Sequence, residues 1–173
     1  MLGKWLALAA LLVVYSGLAS GVELAMVRVL TGYLPPHPVE AVAFLAGESL
    51  VLLTLALLGS TRLAPMTCGI VVLALFGVTW IAGIAESLGV AFHNSAITTA
   101  GTVVSLLMPS DGLWRGAVYN LEPAILVAVG GASPRTNPFS VAAPPPTPYI
   151  VWAVGWVVVI LGLAALSFRR RDL

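Results

Sequence analysis

Four long apolar runs alternate with shorter and more polar stretches along the chain. They cover residues 5–27, 41–58, 66–85 and 150–168. A helix rises 1.5 Å per residue, so about 20 apolar residues cross a hydrocarbon core of roughly 30 Å. The pattern therefore predicts an all-α integral membrane protein with four transmembrane helices, in which residues 1–173 form a single membrane domain.

The first run has some features of a secretory signal peptide. Lys4 precedes the apolar stretch, and the small residues at 17–20 resemble a cleavage site. Apolar character nevertheless continues to Leu30, with only Glu23 and Arg28 as charged interruptions. We therefore interpret this run as a retained transmembrane helix.

Positive charges at the ends of the runs predict the orientation of the chain. The last run stops at three arginines, Arg169, Arg170 and Arg171. Cytoplasmic segments carry an excess of Lys and Arg, so this membrane stop predicts a cytoplasmic C-terminus. Four spans put both termini on one side, with five basic residues inside and three outside. We expect a multi-pass protein of the bacterial cytoplasmic (inner) membrane with both termini cytoplasmic.

The segment between the third and fourth runs is too long for a simple connection and too apolar for a free loop. Residues 92–108 are half apolar and rich in Ser and Thr, and residues 114–121 are compatible with a second short helix. If 92–108 alone crossed the membrane, the terminal arginines would lie outside. We therefore expect an outer layer of re-entrant or interfacial half-helices within about 92–129, followed by a proline-rich connector at 134–148.

Composition supports the membrane assignment and excludes several functions. Hydrophobic residues make up 60% of the chain and charged residues 9%, with a mean hydropathy of +1.04. A soluble domain has roughly 45–50% apolar and 25% charged residues. The net charge of +1 provides no basic patch for nucleic acid. The single cysteine, Cys68, excludes an internal disulfide and any multi-cysteine metal site.

Two acidic residues, Glu23 and Glu48, lie within predicted spans. An acid in a span usually faces protein or a water-filled cavity and is a functional candidate by default. One interpretation places both on a substrate or proton path. The other is structural, because Arg28 on the first helix is within possible reach of Glu48 across the hairpin and would form an interfacial ion pair.

The outer segment carries three further charged candidates, Asp111, Arg115 and Glu122. Because Asp111 and Arg115 are four residues apart, they share one face of a helix. We predict that the region from Pro109 to Pro123, where Gly112 and Gly116 permit close packing, forms an external gate. The alternative is that Asp111 caps a helix beginning near Gly112, and that Trp114 and Tyr119 anchor this helix among lipid headgroups.

Motifs of known enzymes are missing from the sequence. The one lysine, Lys4, is not part of a nucleotide-binding loop of the GxxxxGK[ST] type, and neither GxSxG nor HExxH occurs. The two histidines, His37 and His93, lack companions at metal-ligand spacing. We therefore expect no enzyme activity, no metal and no cofactor, and consider a proton- or metal-handling enzyme built on Glu23, Glu48 and His93 the least favoured reading.

Several short segments resemble the C-terminal part of type-2 ABC exporter permeases. They are 2–6 (LGKWL), 107–115 (LMPSDGLWR), 120–123 (NLEP) and 166–173 (LSFRRRDL). Members of that family generally have six spans and outer half-helices between the fifth and sixth. They dimerise and couple to a separate cytoplasmic ATPase. The resemblance implies that the four spans correspond to the third to sixth, and that the partners are an ATPase subunit, a second membrane chain and the lipid bilayer.

The sequence also departs from the family, because counterparts of the first two spans, the amphipathic N-terminal helix and the intracellular coupling helix are missing from it. Those elements normally meet the ATPase. Two functions remain open from the residues alone. The chain is expected to be a permease-type subunit of an exporter, or a non-transporting accessory subunit of a larger membrane complex that retains the permease helices.

Overall fold

The computed structural model describes residues 2–122, 141 and 143–169, and within them it contains six helices. These are α1 (Leu2–Thr31), α2 (Pro38–Ser60), α3 (Pro65–Ala91), α4 (Ser95–Leu107), α5 (Ser110–Leu121) and α6 (Thr147–Arg169). Helices α1, α2, α3 and α6 are long and apolar enough to cross a membrane. The predicted all-α membrane fold with four spans is therefore confirmed. The expected connector lies largely outside the described residues, as do positions 123–129 of the outer layer.

Prolines mark the beginnings of three of the spans. Pro38 and Pro65 are the first residues of α2 and α3, and Pro148 is the second residue of α6. A proline is tolerated in the first helical turn because its missing N–H has no acceptor there. The spans extend further than their apolar runs, since α3 continues past residue 85 to Ala91. Hydropathy alone ended this run at Glu86, which proves to have a hydrogen-bond partner inside the protein.

Helices α1 and α2 form an antiparallel pair. At one end the indole Nε1 of Trp5 donates to Oγ1 of Thr54 over 3.0 Å. At the other end the chain reverses at Gly32, whose φ of +72° is a conformation that favours glycine. Beyond this turn the Tyr33 hydroxyl donates to the carbonyl of Leu121 over 2.9 Å, which ties the α1–α2 connection to the end of α5. We call this end of the bundle the hairpin end, because the hairpin of α4 and α5 enters the bundle from it.

Helices α4 and α5 form a hairpin that enters the bundle from the hairpin end. His93 makes the turn after α3 with a φ of +57°, and the Asn94 side chain accepts a hydrogen bond from the N–H of Ile97 over 3.3 Å. Asn94 is therefore an N-cap, which explains why α4 begins at Ser95 rather than at residue 92. Helix α4 then runs back along α3 in the opposite direction.

The tip of the hairpin reaches the middle of α3. The hydroxyls of Ser110, the first residue of α5, and Thr79 lie 3.0 Å apart, and Thr79 is close to the centre of the α3 segment Pro65–Ala91. From this tip α5 returns toward the hairpin end beside α2, where a Cβ at Gly116 would lie 2.6 Å from the Phe44 ring. The arrangement is that of two re-entrant half-helices, and the second begins at Ser110 rather than at Trp114.

Three aromatic side chains of α6 hold the C-terminal end of α4. The Tyr149 hydroxyl, Trp152 Nε1 and Trp156 Nε1 donate to the carbonyls of residues 105, 106 and 107 over 3.4, 3.0 and 2.8 Å. The last carbonyls of a helix have no partner within it and must be satisfied when water is excluded. Because the three donors are spaced by three and four residues, one face of α6 provides all of them.

Trp156 of α6 belongs to the interior of the protein. It is only 9% exposed and packs with Val51, Met108, Leu113 and Ala153 in the hydrophobic core. This core lies where α2, α5 and α6 meet the tip of the hairpin. It therefore fixes the depth at which α5 begins, and so the depth of the charged residues in its first turns.

Candidate functional site

A buried ion pair forms the centre of the site. Asp111 lies in the first turn of α5 and Arg115 one turn later, with 2.8 Å between Arg115 Nε and Asp111 Oδ2. The side chain of Asp111 is 3% exposed and that of Arg115 is 25% exposed. Arg115 Nη2 also donates to the carbonyl of Gly83 on α3. The pair therefore ties α5 to α3, and the shared helix face that the spacing predicted is confirmed.

Asp111 does not cap α5, contrary to the alternative drawn from the sequence. The N-cap position is Pro109, and no side chain makes a capping hydrogen bond there. Asp111 instead lies in the first turn of the helix, where the positive end of the helix dipole stabilises its negative charge. Trp114 makes an edge-to-face contact with Trp80 of α3 at a centroid distance of 6.3 Å, so it packs on protein as well.

Two glycines make room for the ion pair and its surroundings. A Cβ at Gly83 would overlap the carboxylate of Asp111, and a Cβ at Gly112 would overlap the ring of Tyr149. The expectation of close packing at Gly112 and Gly116 is therefore confirmed. Gly83 was not identified from the sequence, because a glycine within an apolar run carries no sign of what packs against it.

Two further carboxyl groups lie near the pair. Glu48 of α2 is 8% exposed, and it is close enough to Asp111 for the two carboxylates to repel each other. Glu86 of α3 also acts electrostatically on Asp111, and its Oε1 accepts a hydrogen bond from Thr102 Oγ1 over 2.6 Å. Asp111 therefore interacts electrostatically with a carboxyl group on each of two other helices, and within the described structure it is Asp111 that pairs with the Arg115 guanidinium.

The surroundings of Asp111 change its acidity. Burial raises the pKa of this carboxyl above its ordinary value, and the charge of Glu86 also raises it, whereas the Arg115 guanidinium lowers it. Burial has the largest effect because a desolvated carboxylate is costly. The carboxyl therefore holds a proton more tightly than an exposed aspartate does.

A cavity of about 390 Å³ lies beside this cluster. Its polar wall is formed by Glu86, Thr102, Ser105, Asp111, Arg115 and Tyr149, and its apolar wall includes residues 143–146 before α6. Ser105 is buried, and its Oγ has no hydrogen-bond partner within the described part of the chain. Mixed walls of this kind, mainly apolar with a few converging polar groups, are typical of ligand sites.

The remaining predicted residues lie elsewhere. Glu23 is exposed and lines a separate cavity of about 270 Å³ between α1 and α2. The expected ion pair between Arg28 and Glu48 is not formed in the described structure, where the two pairs are Arg115–Asp111 and His37–Glu40. Glu122 ends α5, and its N–H donates to the carbonyl of Val118. The expected membrane stop begins at the end of α6, and its last two arginines lie outside the described residues.

Sequence reasoning therefore identified Glu48, Asp111 and Arg115 and missed Glu86, Ser105 and Tyr149. Glu86 is an acid near the end of a span, and a closer reading of its position would have included it. Ser105 and Tyr149 are ordinary residues of their helices, and only tertiary packing brings them to the cavity. Within residues 2–122, 141 and 143–169, no three His, Cys, Asp or Glu side chains converge as a metal site requires.

A second and larger cavity of about 590 Å³ lies along the bundle and is almost entirely apolar. It runs from Glu40 near the beginning of α2 to Trp5 and Leu161 toward the opposite end.

Comparison of the chain with protein-family models, curated proteins and solved structures gives no match. The function must therefore be argued from the site itself.

Proposed function

We propose that the chain is a permease-type subunit of an ABC exporter, which works with a separate ATPase subunit and pairs with a second membrane chain. The buried charge cluster at the re-entrant hairpin carries this proposal. A charged residue near the bilayer centre costs about 2.5–3.5 kcal/mol by insertion scales, and such residues usually mark a substrate or ion path. Asp111 and Arg115 lie in the first turns of α5 beside a cavity, and Glu48 is buried near the middle of α2.

The position of the hairpin supports a gating role. It fills the bundle only from the hairpin end to the middle of α3, where Ser110 meets Thr79. Two short helices that reach only half-way through the bundle can close a path from one side of the membrane. On the other side the path is bounded by the spans alone. Non-helical backbone at such a depth, here at Met108 and Pro109, is tolerated only where protein or a water-filled cavity covers it.

Purification from the host tests the exporter assignment. The tagged chain is extracted in a mild detergent, and the co-purifying proteins are identified and counted by mass spectrometry. We expect an ATPase subunit in stoichiometric amount, and a second four-span membrane protein with the same tag controls for non-specific capture. A stoichiometric complex that contains no ATPase would overturn the proposal.

ATP hydrolysis by the purified complex links the assignment to the site. We expect that Asp111→Asn alters the ATP turnover of the complex, because a change at the hairpin is transmitted to the motor subunit. Glu40→Gln is the matched control, since Glu40 is an exposed acid on α2 that pairs with His37 rather than with the cluster. Equal turnover in all three proteins would contradict a role for the hairpin in coupling.

An accessory role in a larger complex is favoured by one observation. The connection between α2 and α3 at the end opposite the hairpin is only residues 61–64, which offers little surface for a motor protein to push against. In that case the hairpin would be a contact region for a partner subunit. The co-purification experiment separates this function from the first, because the accessory subunit comes with a complex that lacks an ATPase.

We further propose that the chain lies in a bacterial inner membrane with the hairpin end outside. Single cysteines at Arg62 and His37, both exposed at opposite ends of α2, test this in a Cys68→Ala background. Thr61 is less suitable because it is buried and bonded to Ser167. We expect an impermeant thiol reagent to label the His37→Cys protein in intact cells and the Arg62→Cys protein only after lysis. The reverse pattern would invert the topology.

A further inference from the structure

The cavity beside the ion pair has an excess of negative charge in its wall. Glu86 and Asp111 both line it, and Arg115 is the one basic residue among its described lining residues. Arg115 is already paired with Asp111 over 2.8 Å, whereas Glu86 has no ion pair within the described part of the chain. Among the described residues, its Oε1 accepts from the neutral Thr102 hydroxyl. A buried or half-buried carboxylate of this kind favours a cationic neighbour.

Ser105 provides a second and independent indication of a ligand site in this cavity. It is 6% exposed and lines the same cavity, and its Oγ is the one buried side-chain oxygen or nitrogen without a partner among the described residues. A serine hydroxyl is both donor and acceptor and can rotate about χ1 to meet a bound group. Buried polar atoms are nearly always hydrogen-bonded, so an exception next to a cavity requires a physical reason.

The size and walls of the cavity favour an organic cation over a bare metal ion. Its volume of about 390 Å³ is within the range of small-molecule pockets, roughly 300–1,000 Å³. No cluster of three metal-ligating side chains occurs in the described structure. The apolar lining from Val90, Leu106 and the prolines before α6 suits a hydrocarbon part of a ligand, and the Tyr149 ring suits a cation–π contact.

We propose that this cavity binds a small organic ammonium compound, with the ammonium group between Glu86 and Ser105 and its apolar part against Leu106 and the proline segment. The inference names the ligand class of the cavity and, for a role in transport, rests on the proposed permease function. The same ammonium chemistry is found in soluble amines and in the headgroup of phosphatidylethanolamine. Both sources would satisfy the same carboxylate.

Binding to the purified full-length chain tests the proposal without the ATPase. Calorimetric titration compares phenethylammonium with the uncharged 2-phenylethanol, which has nearly the same shape. We expect the cation to bind saturably and at least tenfold more tightly than the alcohol. Equal affinities, or no saturable binding of the cation, would overturn the proposal. Because no motor protein is present, this failure is distinguishable from failure of the exporter assignment.

Variants locate the binding to this cavity. Glu86→Gln keeps the acceptor for Thr102 and removes only the charge, so we expect at least a tenfold loss of affinity for phenethylammonium. Ser105→Ala should lose affinity about threefold, and the exposed control Glu40→Gln should be unchanged. Wild-type affinity in Glu86→Gln would refute the site, and a gel-filtration profile confirms that this variant is folded.

The lipid environment distinguishes the two sources of the ammonium group. The titration is repeated in nanodiscs of phosphatidylethanolamine and of phosphatidylglycerol, in high-salt buffer that screens the negative surface of the second lipid and prevents it from concentrating the cation. If the headgroup is the ligand, phosphatidylethanolamine competes and the apparent affinity for phenethylammonium falls. If a soluble amine is the ligand, the two nanodiscs give the same affinity. Either result supports an ammonium site, whereas loss of binding in both nanodiscs would contradict it.

Discussion

Helix α1 and the α4–α5 hairpin belong to the same bundle but are held in it in different ways. Of the 30 residues of α1, only Ala9 is buried within the described structure. Besides Leu113, the shorter hairpin helices bury several small or polar residues, namely Gly101, Ser105, Ser110, Asp111, Gly116, Ala117 and Asn120. In a membrane the apolar side chains can face lipid at no cost. The residues that hold the fold together are therefore the small and polar ones.

This difference predicts where substitutions are damaging, and the largest effect is expected at the buried ion pair. Arg115→Ala leaves the Asp111 carboxylate without its cation, and breaking a buried pair in this way costs about 3–5 kcal/mol of unfolding free energy. Denaturant titration in detergent micelles measures the loss. The control is Arg62→Ala at the opposite end, where the arginine is exposed and makes only a long hydrogen bond to Ser167.

A double variant separates the charge from the packing. Asp111→Asn combined with Arg115→Met removes both charges, and we expect it to recover most of the stability, because replacing a whole buried pair by less polar groups is often neutral. If Arg115→Ala costs no more than Arg62→Ala, the pair is not desolvated and the comparison with α1 fails.

A smaller effect is expected from adding one methyl group. Gly83→Ala places a Cβ on the Asp111 carboxylate and should cost about 1–3 kcal/mol, the usual range for overpacking. Gly77 in the same helix and Gly21 in α1 have no atom within 4 Å of an added Cβ. Alanine at those two positions should be neutral or slightly stabilising. Thermal unfolding of the three variants checks this, and an equal loss in all three would contradict the assigned packing.

The smallest expected effect is the difference in unfolding free energy between two variants that each lose one indole hydrogen bond, one in each region. Trp156→Phe leaves the Leu107 carbonyl, at the tip of the hairpin and half-way along the bundle, without its donor, which should cost about 1–3 kcal/mol. Trp5→Phe removes a bond to Thr54, whose hydroxyl keeps a second partner at Leu50, and should cost only about 0.5–1.5 kcal/mol. The two free energies of unfolding are compared directly. A larger loss for Trp5→Phe would reverse the order of the two regions.

The sequence was sufficient to predict the four spans, because a helix with many lipid-facing residues must be apolar over its length, and this is what a hydropathy pattern detects. It also indicated the hairpin, since a crossing by the half-polar segment 92–108 alone would put the terminal arginines outside. It did not reveal how the hairpin is held. The donors Tyr149, Trp152 and Trp156 lie in or next to the last apolar run, and nothing local shows that their partners are the last carbonyls of α4.

The candidate site was predictable only as far as its parts are neighbours in the chain. The spacing of Asp111 and Arg115 shows that they share a helix face, but their burial depends on Gly83 of another helix. Glu48 was recognised as an acid in a span and was assigned the wrong partner, because the choice between Arg28 and the Asp111 cluster depends on which helix packs against α2. Hydropathy contains no information on that choice.

The length of α1 determines how the protein fits its bilayer. Thirty residues make a helix of about 45 Å, whereas the 23 residues of α2 and of α6 make about 35 Å, close to the hydrocarbon thickness. The part of α1 from Trp5 to Val22 spans only about 27 Å, so the portion beginning at Glu23 extends into the headgroup layer. A thicker bilayer would draw Glu23 and Arg28 into hydrocarbon and straighten α1, while a thinner one would tilt it. Hydrophobic mismatch in this protein therefore falls first on the span that has the fewest buried residues in the described structure.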